Sequence, residues 1–191
     1  MLWGMHPQTT ISLASLPPVP LSPRVYLVVT QDRAHHEITE LIVRLALHGS
    51  FHLIAGGEWL PDQDTLRRSV RSHTVNVTET LDHLSLGRPS TCLQLRDQLA
   101  QADEQNHLIL ILDFLHLFYD SDVDLSLRQR VLEQCCRSVQ HLSKSKLVIA
   151  LVQQVPVQDY ELFFPTLASV ADEILEAQAD PKLPVSQPSL F

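Results

Sequence analysis

The residues that follow the first strongly apolar segment limit the chemistry open to this chain. Val25–Thr30 (VYLVVT) is a β-branched run typical of a buried strand, and QDRAH follows it before a helix that begins near His36. Phosphate binding at such a turn needs converging backbone N–H donors, glycines and a lysine. The chain has no glycine between Gly4 and Gly49, and its first lysine is Lys144. The sequence therefore predicts no phosphate-binding loop here and no nucleotide cofactor.

Polar residues follow three other apolar segments. Glu58 comes after FHLIAGG, Asp113 after HLILIL, and Gln153 and Gln154 after LVIALV. In open α/β sheets ligands bind at the carboxyl ends of the strands, which is the position that Asp113 would occupy. Asp113 has two interpretations at this stage, because an aspartate after a strand also commonly caps the following turn.

The elements that must position these residues alternate between strands and helices. Continuous apolar runs predict strands at Val25–Thr30, Phe51–Ala55, His107–Asp113, Lys146–Val152 and Asp172–Ala177, with a further short strand at Val75–Val77. Periodic apolar positions predict helices over 37–48, from 62 or 64 to about 71, over 91–102 and over 126–142.

Several local signals refine these elements. Gly49 is expected to end the first helix, Asp62 or Asp64 to begin the second, and Leu127 to face inward on the last. Apolar strands between helices predict a three-layer α/β fold with a mostly parallel central sheet.

Composition suits one domain, predicted over 24–178, between a flexible N-terminal segment 1–23 and a flexible tail 179–191. The net charge of −8 provides no global positive field for nucleic acid.

No apolar run is long enough for a membrane span, and residues 1–23 lack the features of a signal peptide. A cytoplasmic location is expected. The three cysteines fit a reducing compartment and buried helix positions: Cys92, Cys135 and Cys136.

Two polar clusters suggest binding sites. His35-His36-Glu37 could hold a metal, but adjacent helical residues point apart, so a polar first helical turn is expected and no metal. Arg67, Arg68 and Arg71 could contact DNA, whereas surface ion pairs are the preferred interpretation.

The order of elements over roughly 25–177 resembles the core of RecA-like recombinases and ATPases. Phe51–Arg68 resembles the family's strand and helix around a catalytic glutamate, with Glu58 at that place. His107–Asp113 is similar to the Walker B strand, which implies a magnesium-associated role for Asp113. Leu147–Gln154 resembles the strand that ends in a nucleotide-sensing glutamine, here Gln153 or Gln154.

Two shorter matches belong to the same resemblance. Arg88–Leu95 (RPSTCLQL) looks like the stretch before the family's next helix, and Ala171–Glu176 (ADEILE) is similar to the strand that closes this part of the core. The family's phosphate loop would lie at Gln31–Glu37, where it is missing, which implies a non-catalytic member. A divergent ATPase using ATP and magnesium is the alternative; Glu58, Asp113 and Gln153 would then act, with phosphate contacts from Arg33 and the Gln31–His36 backbone.

The tail carries a second resemblance. Gln187-Pro188-Ser189-Leu190-Phe191 is similar to the bacterial sliding-clamp-binding pentapeptide, whose usual pattern is Gln, Leu, Ser or Asp, Leu, Phe. Leu190 and Phe191 suit a hydrophobic pocket, Gln187 can hydrogen-bond at its rim, and Ser189 matches the third position. Pro188 departs from the common leucine and would reduce the ordering cost on binding.

Together the two resemblances imply a function. A RecA-like core without a phosphate loop and with a clamp-binding tail is similar in plan to RecA-like accessory proteins of bacterial mutagenic translesion synthesis, part of the response to DNA damage. The expected partners are the sliding clamp, and a RecA-like recombinase or an error-prone polymerase subunit, with only weak or indirect contact to DNA. A division-inhibitor-like protein of the RecA fold is a further alternative.

Overall fold

The computed structural model describes residues 9–13, 22–31, 35–56, 59–102, 107–155 and 158–177. Seven strands, β1 to β7, comprise Thr9–Ile11, Arg24–Thr30, Phe51–Ala55, Leu84–Gly87, Leu108–Leu112, Leu147–Gln153 and Glu173–Ala177. Six helices, α1 to α6, comprise His35–His48, Gln63–His73, Val77–Asp82, Cys92–Ala100, Leu125–Leu142 and Gln158–Ala168, and a short 3₁₀ helix spans His116–Phe118.

All seven strands join one sheet in the order β1-β7-β2-β6-β5-β3-β4, and every strand pairing in the described residues is parallel. The strand β6 therefore lies between β2 and β5, and β1 and β4 form the two edges. The predicted architecture is confirmed: this is a three-layer α/β fold of the Rossmann-like or RecA-like type around a parallel sheet.

The strand order decides which helix covers which face. The connections from β2 to β3 and from β3 to β4 run toward the β4 edge, whereas those from β4 to β5, β5 to β6 and β6 to β7 run back. Because crossovers between parallel strands are right-handed, the two directions place helices on opposite faces. The packing agrees: α1, α2 and α3 contact one core cluster (the first face), and α4, α5 and α6 contact another (the second face).

The central strands are apolar on both faces, as the sequence predicts. On β2, Leu27 and Val29 point into the second-face cluster, whereas Tyr26 and Val28 point into the first-face cluster. Side chains alternate along a strand, so a strand covered on both faces needs apolar residues at successive positions. The buried runs of β5 and β6 follow the same rule.

Helix ends match two of the sequence signals. Asp62 is the N-cap residue of α2, and its Oδ1 accepts from the backbone N–H groups of Asp64 and Thr65 at 3.1 and 2.9 Å. Gly49 follows α1 with a φ of +147°, a conformation that glycine adopts without steric cost. Asp124 is the N-cap residue of α5, and its Oδ1 accepts from the backbone N–H of Ser126 at 2.9 Å.

Two local predictions are wrong. Val75–Val77 does not form a strand; Val75 is 95% exposed and Val77 begins α3. Three residues with two valines satisfy a strand pattern, but here they lead into and begin a helix. Leu127 does not face inward either: it lies in the first turn of α5 and is 36% exposed.

Three elements have weak local signals and gain their stability from packing. The β1 strand pairs with β7, and Leu13 just after it is buried, so residues 9–13 belong to the domain although the sequence places them in the segment 1–23. The short β4 pairs with β3. The helix α6 contains Pro165, which lies on its exposed side, while Phe163 and Leu167 are buried on the other.

The three cysteines are free thiols in the core, as expected. Burial raises the pKa of the Cys136 thiol to about 12, and burial raises the pKa of Cys135 as well, so both stay protonated at neutral pH. None of the described helices is long and apolar enough to span a bilayer.

We expect Leu13→Ala to lower the free energy of unfolding by about 2 kcal/mol or more, because it opens a cavity in the first-face core. Urea denaturation measures this change. Leu125→Ala is the matched control, since Leu125 is 41% exposed and its loss should cost less than about 0.5 kcal/mol. Equal effects of the two substitutions would show that residues 9–13 do not dock on the sheet.

Candidate functional site

The carboxyl edge of the sheet offers two positions for a ligand crevice. Leaving aside the edge strand β4, connections from neighbouring strands leave to opposite faces between β2 and β6, and again between β3 and β5. In open α/β sheets a crevice forms at such a switch point, outside the carboxyl ends of the strands. These two positions are therefore where the predicted site residues have to be sought.

The structure brings two of the predicted residues to this edge. Gln153 ends β6 and pairs in register with Thr30, the last residue of β2, while Asp113 directly follows β5, the neighbour of β6. Gln154 is exposed and uses its backbone N–H to donate to the Thr30 carbonyl at 2.8 Å. Glu58 and Arg33 lie outside the described residues.

Asp113 has a backbone conformation that few residues adopt. Its φ is +52°, in the left-handed region, where aspartate is tolerated better than most residues. Its carbonyl accepts from the N–H of His116 at 3.1 Å, and the next N–H, that of Phe114, donates to Leu151 O at 3.0 Å. Asp113 therefore turns the chain out of β5 and into the 3₁₀ helix.

The Asp113 side chain is nearly buried and lies close to His116. Only 9% of it is exposed, and its Oδ2 lies 3.7 Å from Nδ1 of His116. Its charge also acts on Tyr119: burial raises the pKa of the Tyr119 phenol, and Asp113 raises it further. The phenol therefore stays neutral across the physiological range, and sequence reasoning did not identify it.

Two buried hydroxyls without a hydrogen bond in the described part of the chain lie near this edge. They are the Thr30 hydroxyl at the end of β2 and the Tyr119 hydroxyl beyond β5. A buried hydroxyl without a partner costs about 1–3 kcal/mol. Thr30 therefore gives the end of β2 a group that can form a further hydrogen bond.

Beneath the edge on the second face, Arg128 joins three segments. Its Nη1 donates to the Phe118 carbonyl at 2.8 Å and to Asp159 Oδ2 at 2.6 Å, and its guanidinium lies 5.6 Å from the centre of the Phe163 ring. Arg128 is 7% exposed, so removing its partner would leave a buried charge. This arginine fixes the 3₁₀ helix to α5 and α6, which is a structural role that the sequence pattern did not indicate.

A groove of about 730 Å³ lies between α1 and α2 on the first face. His35 and His36 line it at the start of α1, and Asp62, Thr65 and Arg68 line it on the α2 side. Among the described residues no group of three or more metal-ligating side chains is found.

Arg67, Arg68 and Arg71 lie beside this groove. None of the three forms a close ion pair within the described ranges. Arg68 donates to the Asp64 carbonyl and the Thr65 hydroxyl. Hydrogen bonds from Thr65 are the main cause of a lowered pKa of Asp62, and the charge of Arg68 contributes to the same shift. The preferred surface-charge interpretation therefore holds for Arg68 as a longer-range attraction.

We expect Asp113→Val to lower the free energy of unfolding by about 1–2 kcal/mol more than Asp113→Asn. Both changes remove the charge, but asparagine tolerates the left-handed conformation whereas a β-branched side chain does not. Urea denaturation of the two variants measures the difference. Equal stabilities would contradict the structural role assigned to this turn.

No protein-family model matches this chain, and a search of curated proteins found no match either.

Proposed function

We propose that this chain is a non-catalytic, RecA-like accessory protein of DNA repair and translesion synthesis that acts in the cytoplasm. Its core would bind a recombinase or polymerase subunit, and its QPSLF segment would bind the bacterial sliding clamp. The observation that carries this proposal is the joint occurrence of QPSLF with a RecA-like fold whose first strand-to-helix turn lacks both glycine and lysine.

The length of that turn supports a non-catalytic core. The strand β2 ends at Thr30 and α1 begins at His35, so four residues, 31–34, connect them. The phosphate-loop motif places six positions, from its first to its second glycine, ahead of its lysine. The residues present therefore do not fit ATP with magnesium, because the turn is too short and lacks the residues that cradle phosphates.

The position of Asp113 supports the same conclusion. A magnesium-associated aspartate acts on an anchored triphosphate. In this chain Asp113 forms a left-handed turn, and its carboxylate is nearly buried next to His116. A role in holding the end of β5 accounts for these contacts without a nucleotide.

The geometry of the last strand suits a tethered peptide. The strand β7 ends at Ala177 on the carboxyl edge, and nine residues, 178–186, separate it from Gln187. A Pro-bearing spacer extends by about 3.1 Å per residue, so it could reach about 30 Å. The calculated reach would allow QPSLF to bind a clamp while the core binds another protein, and two such contacts on one chain give avidity.

We expect the protein to bind a bacterial sliding clamp with micromolar affinity in surface plasmon resonance, and a variant that ends at Ser186 not to bind. Leu190→Ala with Phe191→Ala should abolish binding as well, because both side chains fill the hydrophobic pocket. Pro188→Leu restores the commoner residue and should bind at least as tightly as the natural sequence.

No clamp binding by the unaltered protein would contradict the proposed role of QPSLF. Binding that persists without the last five residues would assign the clamp contact to the core instead. The Pro188→Leu variant controls for the general effect of changing the tail.

We expect no saturable ATP binding below millimolar concentration in calorimetry with magnesium present, because the β2–α1 turn cannot cradle phosphates. Submillimolar binding that Asp113→Ala abolishes would favour the divergent ATPase instead. Asp113→Asn, which preserves the turn, separates loss of binding from loss of folding.

A further inference from the structure

A carboxylate on α1 contacts the last turn of α2 across the groove between these helices. Ser69 Oγ donates to Glu40 Oε1 at 2.7 Å, and Glu40 Oε2 lies 3.5 Å from Nε2 of His73. Glu40, Ser69 and Ser72 line the groove, and His73 follows as the last residue of α2. We call Glu40, Ser69 and His73 the Glu40 cluster.

The hydrogen bonds of the other ring nitrogen fix its protonation. Nδ1 of His73 lies 2.9 Å from the Ser69 carbonyl oxygen and 3.0 Å from Ser72 Oγ. A carbonyl oxygen can only accept, so Nδ1 must carry a proton to bond to it. Ser72 requires the same, because its hydroxyl donates its single proton to the Ser69 carbonyl at 2.7 Å and can only accept from Nδ1.

This assignment decides which group faces Glu40. A neutral imidazole carries one proton, and with that proton on Nδ1 the Nε2 atom presents a lone pair to the carboxylate. A second proton turns Nε2 into a charged N–H donor at the same place. The contact between His73 and Glu40 is therefore unfavourable when the ring is neutral and attractive when it is charged.

The position of His73 on α2 favours the charged ring as well. The last turn of a helix carries a partial negative charge, which stabilises a cation there. Arg71 is the nearest cation along the chain, but two residues correspond to about 200° around the helix, so it lies on the other side. The helix end therefore adds to the attraction of Glu40.

The charges on the helices packed against α2 leave Glu40 as the main partner of His73. On α1, Arg44 follows Glu40 by one turn; burial lowers the pKa of Arg44, and the charge of Glu40 acts in the opposite direction. On α3, Glu79 and Asp82 form no ion pair with His73 in the described part of the chain. A charged His73 and Arg44 would therefore share one carboxylate.

We infer that the Glu40 cluster is a pH-sensitive contact between α1 and α2. Protonation of His73 draws the end of α2 toward α1 and narrows the groove at that end. Loss of the proton leaves the Ser69 hydroxyl as the attractive contact of the cluster with Glu40. The stabilisation is thus present at acidic pH and is lost as the pH rises through the titration of the ring. This inference is independent of the proposed function.

The test is a double-mutant cycle of His73→Gln and Glu40→Gln in the full chain, followed by urea denaturation. The two pH values are about 5.5 and about 8, on either side of the ordinary titration of histidine and above that of glutamate. At the lower pH the unfolding constants should show a coupling of about two- to five-fold, as is usual for an exposed ion pair. At the higher pH the favourable coupling should be absent.

His48 provides the matched control. Its Nδ1 lies 2.7 Å from the Arg44 carbonyl at the end of α1, which is the same helix-end contact, and it forms no ion pair within the described ranges. We expect His48→Gln and Glu40→Gln to be additive at both pH values. Glutamine at position 40 still accepts from Ser69, so the cycle isolates the charge.

Nitrogen-15 NMR of the imidazole ring tests the tautomer directly. At about pH 8 the proton of His73 should reside on Nδ1 and be absent from Nε2. A proton on Nε2 at that pH would overturn the inference. So would a His73–Glu40 coupling that is the same at both pH values, or one that the His48 control shows equally.

Discussion

Burial of the central strands on both faces is the constraint on which the rest of this structure depends. The strands β2, β6, β5 and β3 lie between two layers of helices, so nearly every side chain on them is apolar. Their backbone groups can be satisfied only by pairing with neighbouring strands, which fixes the register. Polar residues are therefore confined to the strand ends, and any binding or turn chemistry has to lie at the edges of the sheet or on the outer helices.

At the carboxyl edge of the sheet, polar residues stabilise the segment that follows β5. Asp113 takes a left-handed conformation to direct the chain out of β5, and Arg128 fixes the following 3₁₀ helix to α5 and α6. The short turn after β2 supplies neither glycine nor lysine. Asp113 and Arg128 are therefore engaged in contacts that stabilise the fold.

The outer helices are less constrained than the sheet. Leu66 and Val70 bury one side of α2 against the first-face core, whereas Arg67, Arg68 and Arg71 lie on its exposed side. The exposed side of such a helix can therefore change in sequence while the core contacts stay the same.

The sequence by itself determined the buried strands, the long helices, the fold class and the lack of a phosphate loop, because continuous apolar runs and missing residue types are local properties. The order of the strands, the docking of residues 9–13 and the helix α6 despite Pro165 depend on partners distant in the chain. Only the tertiary structure decided that Asp113 forms a turn and that Arg67 and Arg71 have no ion pair within the described part of the chain. Side-chain partners are fixed by packing between elements, and spacing along the chain does not encode them.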